Sequence, residues 1–184
     1  MDLTGKFLIA MPGMGDPRFE TSLILVCAHS ENGAMGLIVN KPLPEPGFRR
    51  LLEQLEITPG PACANIPVQF GGPVESARGF VLHSPDYGTD DGTLRISDSF
   101  AMTATLQALE DLAQGRGPAR ALLALGYAGW GSGQLENEIL RNGWLSCEAT
   151  PEIAFALDNL TKWERALKSL GVDALTLSAT AGRA

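Results

Sequence analysis

The sequence predicts an α+β protein on a mainly antiparallel sheet, and three observations predict it. Short apolar runs come in pairs separated by turn residues, the pattern of hairpins. One of those turns holds Asn32-Gly33, the strongest short-range hairpin signal, because both residues tolerate positive φ. Helical spacing is confined to a few segments, so the strand–helix alternation of a parallel sheet is missing.

Residues 6–10 read as the first strand. Met11-Pro12-Gly13-Met14-Gly15-Asp16-Pro17 then forces a loop. Residues 23–28 are an apolar β run and residues 34–40 its return; a turn centred on Asn32-Gly33 sets His29 opposite Gly36. Pro42 ends that strand, having no N–H for a central ladder. Phe48, Leu51, Leu52 and Leu55 recur at helical spacing and give about two to three turns. Residues 66–70 and 79–83 read as strands on either side of Gly71-Gly72-Pro73, and residues 94–96 as a short one. Met102, Leu106, Leu109 and Ala113 mark a helix capped by Ser97, Asp98 or Ser99 and stopped by Gly115.

The most distinctive stretch is Gly126-Tyr127-Ala128-Gly129-Trp130-Gly131-Ser132-Gly133-Gln134-Leu135-Glu136. Apolar residues 119–125 lead in, and Leu135, Ile139 and Leu140 lead out, predicting a buried strand, a glycine-rich turn and a short amphipathic helix. Residues 144–147 form another short strand, and Thr150-Pro151-Glu152 starts a helix with proline at its first position. Asp158-Asn159 interrupts before Leu160, Trp163, Leu167 and Leu170 carry a helical pattern to Gly171. Residues beyond Asp173 read as a loosely held tail. With no repeat, low-complexity stretch or linker, residues 1–184 are expected to form a single domain.

The formal charge is −7, and the 14 Lys and Arg residues are scattered, with only Arg49-Arg50 adjacent. Nucleic-acid binders draw affinity from clustered cations, so direct DNA binding is not expected. Lys162, Arg165 and Lys168 share one helical segment with Asp158 and Glu164, as an ordinary solvated face would. Cys27, Cys63 and Cys147 are widely spaced and lack a CxxC pair, as reduced thiols of a cytoplasmic protein do. The opening residues are too short an apolar run for a signal peptide, and no run approaches the ~20 residues of a membrane helix.

Chemistry-bearing patterns are incomplete. The glycines are not followed by Lys-Ser/Thr, as a phosphate-binding loop requires, and Gly129-x-Gly131-x-Gly133 lacks dinucleotide spacing. Glu136 in the first helical turn would compete with a bound anion. Ser132 sits between strand and helix, but Trp130 and Gln134 occupy the places where a nucleophile elbow needs glycine. Cys27 and His29 alternate on one strand without a second ligand pair, so no metal and no cofactor are expected. Asp16, Glu136 and Glu138 supply carboxylates only if the fold gathers them, and Trp130, Trp144, Tyr127 and Phe80 serve either a pocket or the core.

Four blocks resemble the YqgE/AlgH family. They are Leu3-Thr4-Gly5 through Met14-x-Asp16-Pro17-x-Phe19; His29 with Gly33-Ala34-Met35-Gly36-Leu37 to Asn40-Lys41-Pro42; Gly71-Gly72-Pro73-Val74 with Gly79-Phe80-Val81-Leu82-His83; and Gly126-Tyr127-Ala128-Gly129-Trp130 to Gln134-Leu135-Glu136-x-Glu138-Ile139. The chain departs at Ser132, where that family often has proline. The resemblance implies a bifurcated sheet, part of it closed like a small barrel. It brings the label of a transcriptional regulator, through a link to alginate production, with no established reaction or DNA-binding element.

Two functional readings follow. One is a regulatory or accessory binding module that contacts a protein or small-molecule ligand without binding DNA or a membrane. The other is an enzyme whose site forms between two polar stretches, Asp16, His29, Asn40 and Lys41 on one side and Trp130, Gln134 and Glu136 on the other. It requires one concave pocket holding His29 and Glu136 with perturbed titration. A direct transcription factor needs a basic recognition helix, which no segment supplies.

Overall fold

The computed structural model describes residues 1–181. Strands β1 (Lys6–Ala10), β2 (Leu23–Ser30) and β3 (Gly33–Ile38) come first, followed by α1 (Phe48–Gln54), β4 (Val68–Phe70) and β5 (Val74–His83). Next are β6 (Thr93–Arg95), β7 (Ala101–Thr103), α2 (Leu106–Ala113), β8 (Ala121–Gly131), α3 (Gln134–Leu140) and β9 (Trp144–Glu148). Helices α4 (Pro151–Ala154), α5 (Lys162–Ser169) and α6 (Ala174–Ala181) close the chain. The strands form one curled sheet in the order β6-β7-β5-β8-β3-β2-β1-β9, antiparallel throughout, with β4 added parallel to β8. The predicted α+β class, with a bifurcated and partly barrel-like sheet, is what the chain adopts.

The bifurcation lies in β8. Its first half runs between β4 and β5, pairing Leu123 with Val68 and with Val81, and its second half pairs with β3 from Ala128 to Gly131. Gly126, at φ 76°, bends the strand between the two halves. The glycine-rich stretch is therefore not the predicted turn: Gly126 to Gly131 continue the strand, and only Ser132-Gly133 separates it from α3. Glycine serves at 126 because the Gly72 backbone approaches too closely there for a side chain.

Alternate residues of the central strands feed different cores. Phe7, Ile9, Leu23, Leu25, Cys27 and Leu37 face the cluster under α4 and α5. Leu8, Ala10, Ile24, Val26 and Ile38 face the cluster that contains Trp130, Leu135 and Trp144. Covering on both faces is why these strands read as unbroken apolar runs. Helices α1 and α2 close a third cluster around Leu52, Val81, Leu112 and Leu123.

Four local expectations are corrected. The hairpin turn is Glu31-Asn32, so His29 pairs with Ala34 and not with Gly36; a bulge between Val26 and Ala28 then shifts the register. Met102 lies in β7, and the helix starts after Thr105, because residues 101–103 complete a ladder between β5 and β6. Residues after Asp173 form α6, with Ala174 and Leu177 packed against the first core. Lys162 is no surface residue. It is 1 % exposed, and its Nζ donates to the carbonyls of Val39 (2.7 Å) and Ala154 (2.9 Å). Trp163 Nε1 donates to Ala10 O beside it, so α5 is fastened to the sheet by side chain-to-backbone bonds.

Candidate functional site

Two polar clusters form around α3. In the first, His29 Nδ1 accepts the Leu3 N–H at 3.0 Å and Nε2 lies 2.6 Å from Glu136 Oε1. Since Nδ1 accepts, the ring proton sits on Nε2 and is donated to the carboxylate. The His29 side chain is 3 % exposed, whereas Glu136 is 39 % exposed. The Glu136 carboxyl is held below its ordinary range, first by its own backbone N–H at the helix start and then by His29. The strand end and the first helical turn therefore meet at this contact, while Glu136 is not among the residues that line the concavity of His29.

The second cluster centres on Glu138, one helical turn from Gln134. Its Oε2 accepts both indole N–H groups, Trp144 Nε1 at 2.8 Å and Trp130 Nε1 at 2.9 Å, and its Oε1 accepts Gln134 Nε2 at 3.1 Å. Gln134 Oε1 in turn accepts the Gly131 N–H at the end of β8. The indoles meet edge to face at 6.0 Å, and Phe19 packs against Trp144 in the same manner. One carboxylate thus holds the ends of β8 and β9 against α3. Replacing Glu138 with alanine strands two indole donors, one on an almost wholly buried Trp144. The expected loss is about 2 kcal/mol, read by urea unfolding, with a red shift of tryptophan emission.

Beside this cluster runs a groove of about 950 Å³, walled by Met14, Asp16, Arg18, Phe19, Trp130 and Glu138 among others. Asp16 reaches it from the opposite bank. Its carboxylate takes Arg18 Nε and Nη2, which hold its pKa below the ordinary value, and it caps the single helical turn Pro17–Phe19 through the Arg18 N–H.

Asn40 and Lys41 do other work. Asn40 accepts the Leu23 N–H and donates to Thr21 O, holding a loop in which Thr21 has φ 52°. Lys41 Nζ donates to Arg18 O at 3.2 Å, and partial burial lowers its pKa. Of the seven candidates, the fold brings Trp130, Gln134 and Asp16 to one groove and joins His29 to Glu136 as a separate pair. Asn40 and Lys41 brace the loop behind Asp16. The single pocket expected for all of them is not formed, because His29 lines a different concavity, that of Met35 and Arg78. Glu138, the centre of the second cluster, had a signal in the sequence: Trp130 and Trp144 flank it, each with a donor to satisfy. Ser132 Oγ donates to Glu31 O and so ties α3 to the hairpin. Among the described residues, no three His, Cys, Asp or Glu side chains gather as a metal site would require.

A partly closed, bifurcated antiparallel sheet with a tryptophan-walled groove at the end of its branching strand defines a distinct class of α+β protein. Residues 7–175 match the AlgH-like family profile, and the chain belongs to that family. It is 63% identical to a UPF0301 protein of Ruegeria pomeroyi over the whole of both chains. A second UPF0301 protein, from Paracoccus denitrificans, is 59% identical over 100% of this chain and 97% of its own. The solution structure of the AlgH protein from Pseudomonas aeruginosa superposes with a TM-score of 0.81 at 41% identity, covering 100% of this chain and 97% of that one. The crystal structure of DIP2367 from Corynebacterium diphtheriae, 22% identical with a TM-score of 0.73 over 91% of this chain and 86% of its own, shares the fold.

Proposed function

We propose that this protein is a regulatory or accessory binding module of the cytoplasm, which holds a protein segment or small molecule in the groove beside Glu138 and does not bind DNA. The observation that carries this reading is the construction of that groove. Glu138, Trp130, Trp144 and Gln134 bond to one another and present a fixed wall, part aromatic and part polar, facing Asp16 and Arg18. Aromatic side chains held beside fixed polar groups are what ligand sites use to orient what they bind. The free thiols of Cys27, Cys63 and Cys147 suit a reducing compartment. The DNA reading loses support because Lys162, one of three cations on α5, is buried in the core, leaving Arg165 and Lys168 beside Glu164 on the exposed side.

The enzyme reading keeps the His29–Glu136 contact, yet both imidazole nitrogens are engaged and the ring is covered. A general base needs a free lone pair within reach of substrate, and His29 offers none.

The test is a photoreactive amino acid placed at Gln134 in cells, with one at exposed Lys168 on α5 as the comparison. A discrete adduct from the Gln134 position alone is expected, together with no gel shift of duplex DNA at physiological salt. Tight sequence-selective DNA binding, or identical adducts from both positions, overturns the reading.

A further inference from the structure

The second concavity, of about 780 Å³, lies between the β2–β3 hairpin and strands β5, β7 and β8. It shares only Val74, Gly129 and Trp130 with the lining of the groove beside Glu138. Its apolar surface comes from Met35, Phe80, Met102 and Tyr127, with Tyr127 edge-on to Phe80 at 5.8 Å. Methionines adapt to varied apolar shapes, and aromatic edges add contact area without much loss of freedom.

Its charge runs against the rest of the molecule. The chain carries −7, but among the described residues the one side chain with a formal charge that lines this concavity is Arg78. The other titratable lining residue, His29, is already bonded through both nitrogens.

Arg78 is put there by an irregularity in β5. From Val74 to Gly79 the strand takes five steps where β8 takes two, from Tyr127 to Leu125. The surplus residues bow out with Glu75 in the left-handed region at φ 47°, a conformation residues with a Cβ rarely hold. Bulges commonly re-aim a side chain next to a site. Here the bulge brings the guanidinium 5.0 Å over the Phe80 ring. The ion pair found for Arg78 is the long 3.5 Å contact to Glu75 on the same bulge, so most of its planar fork remains open to an acceptor.

We propose that this concavity binds a small amphipathic carboxylate. Its charged end would take Arg78 through paired N–H···O bonds, and its aromatic or branched aliphatic body would lie on Met35, Met102, Phe80 and Tyr127. The proposal goes beyond the function given above and concerns a different concavity.

The five methionines make it testable by NMR of the methyl-labelled protein, since Met35 and Met102 line this site and Met11 and Met14 lie at the far loop. With naphthoate as probe, saturable shifts of the Met35 and Met102 methyls are expected, with affinity about tenfold weaker in Arg78→Gln. Naphthamide, which keeps the ring and lacks the charge, should bind more weakly by a similar factor. Arg78 is exposed, so Arg78→Gln leaves the remaining spectrum in place and serves as its own folding control. No saturation up to about 10 mM, equal affinity in Arg78→Gln, or shifts confined to Met11 and Met14 overturns the proposal.

Discussion

Replacing Gly72 with alanine is expected to leave little folded protein. Gly72 follows the short parallel strand β4 where the chain crosses over the bend of β8. Gly71 N donates to Leu125 O, and Gly71 O accepts the Ile38 N–H, so this crossing joins the two branches of the sheet. Gly72 itself stands at φ 154°, and a Cβ built on it would overlap the Tyr127 carbonyl carbon and oxygen and the Ala128 nitrogen. Those atoms are backbone, fixed on one side by the Val74–Tyr127 pair and on the other by Gly36–Ala128, so no rotamer change relieves the overlap. Overpacking against flexible side chains costs about 1–3 kcal/mol; with backbone on both sides, a loss above about 4 kcal/mol is expected. Gly13→Ala is the comparison. Gly13 also has positive φ, 82°, but nothing lies within 4 Å of its added Cβ, so it should lose only about 1 kcal/mol of backbone strain. Soluble yield and urea midpoints of the two variants separate overlap from strain. Equal losses would show that the crossing tolerates a side chain.

What the sequence disclosed follows from the range over which each signal acts. Strands β1 and β2 were legible because both faces are covered, which leaves unbroken apolar runs. Helix α1 was legible because Phe48 and Leu52, its buried residues, recur at helical spacing. The β2–β3 register was not, because the bulge at Cys27 and the close approach of Gly33 to Trp130 O set it together with the turn. The glycines of β8 suggested a turn, since glycine permits turns and tight strand crossings alike, and only the distant Gly71-Gly72 decides between them. Strand β7 is three residues long and exists because β5 and β6 flank it. At the site, Trp130, Gln134 and Glu136 were marked by their place between strand and helix. The pairing of Glu136 with His29 spans 107 positions and no local pattern carries it. Lys162 was missed because its partners are backbone carbonyls, which leave no trace in residue identity.

Lys162 gives the other large effect, with a pH dependence that identifies its cause. Among the described residues no carboxylate touches its buried ammonium, and desolvation lowers its pKa from 10.5 to about 8. Below pH 8 the folded and unfolded chains both carry the proton. Between pH 8 and 10.5 the unfolded chain binds more protons than the folded one, so stability rises with pH across that window. The rise should reach about 3 kcal/mol, since each tenfold change in proton affinity corresponds to roughly 1.4 kcal/mol. Cys27 acts in the opposite direction. Burial holds its thiol up at about 12, so above its ordinary 9.0 the folded chain retains a proton that the unfolded chain releases. The quantity to measure is therefore the difference between the native protein and Lys162→Met by urea unfolding at several pH values, in which the thiol contribution cancels. Lys162→Met retains the stem and removes the donors to Val39 O and Ala154 O. Its stability relative to the native protein should fall steadily as pH rises from 8 to 10.5. Lys162→Ala adds a cavity under α5 and should lose about 4 kcal/mol even at neutral pH. The neutral amine has two N–H groups for two carbonyls, whereas the ammonium has a third proton with no acceptor found among the described residues. A difference that stays flat from pH 8 to 10.5 would mean that water reaches Nζ, and the burial of this lysine would lose its energetic meaning.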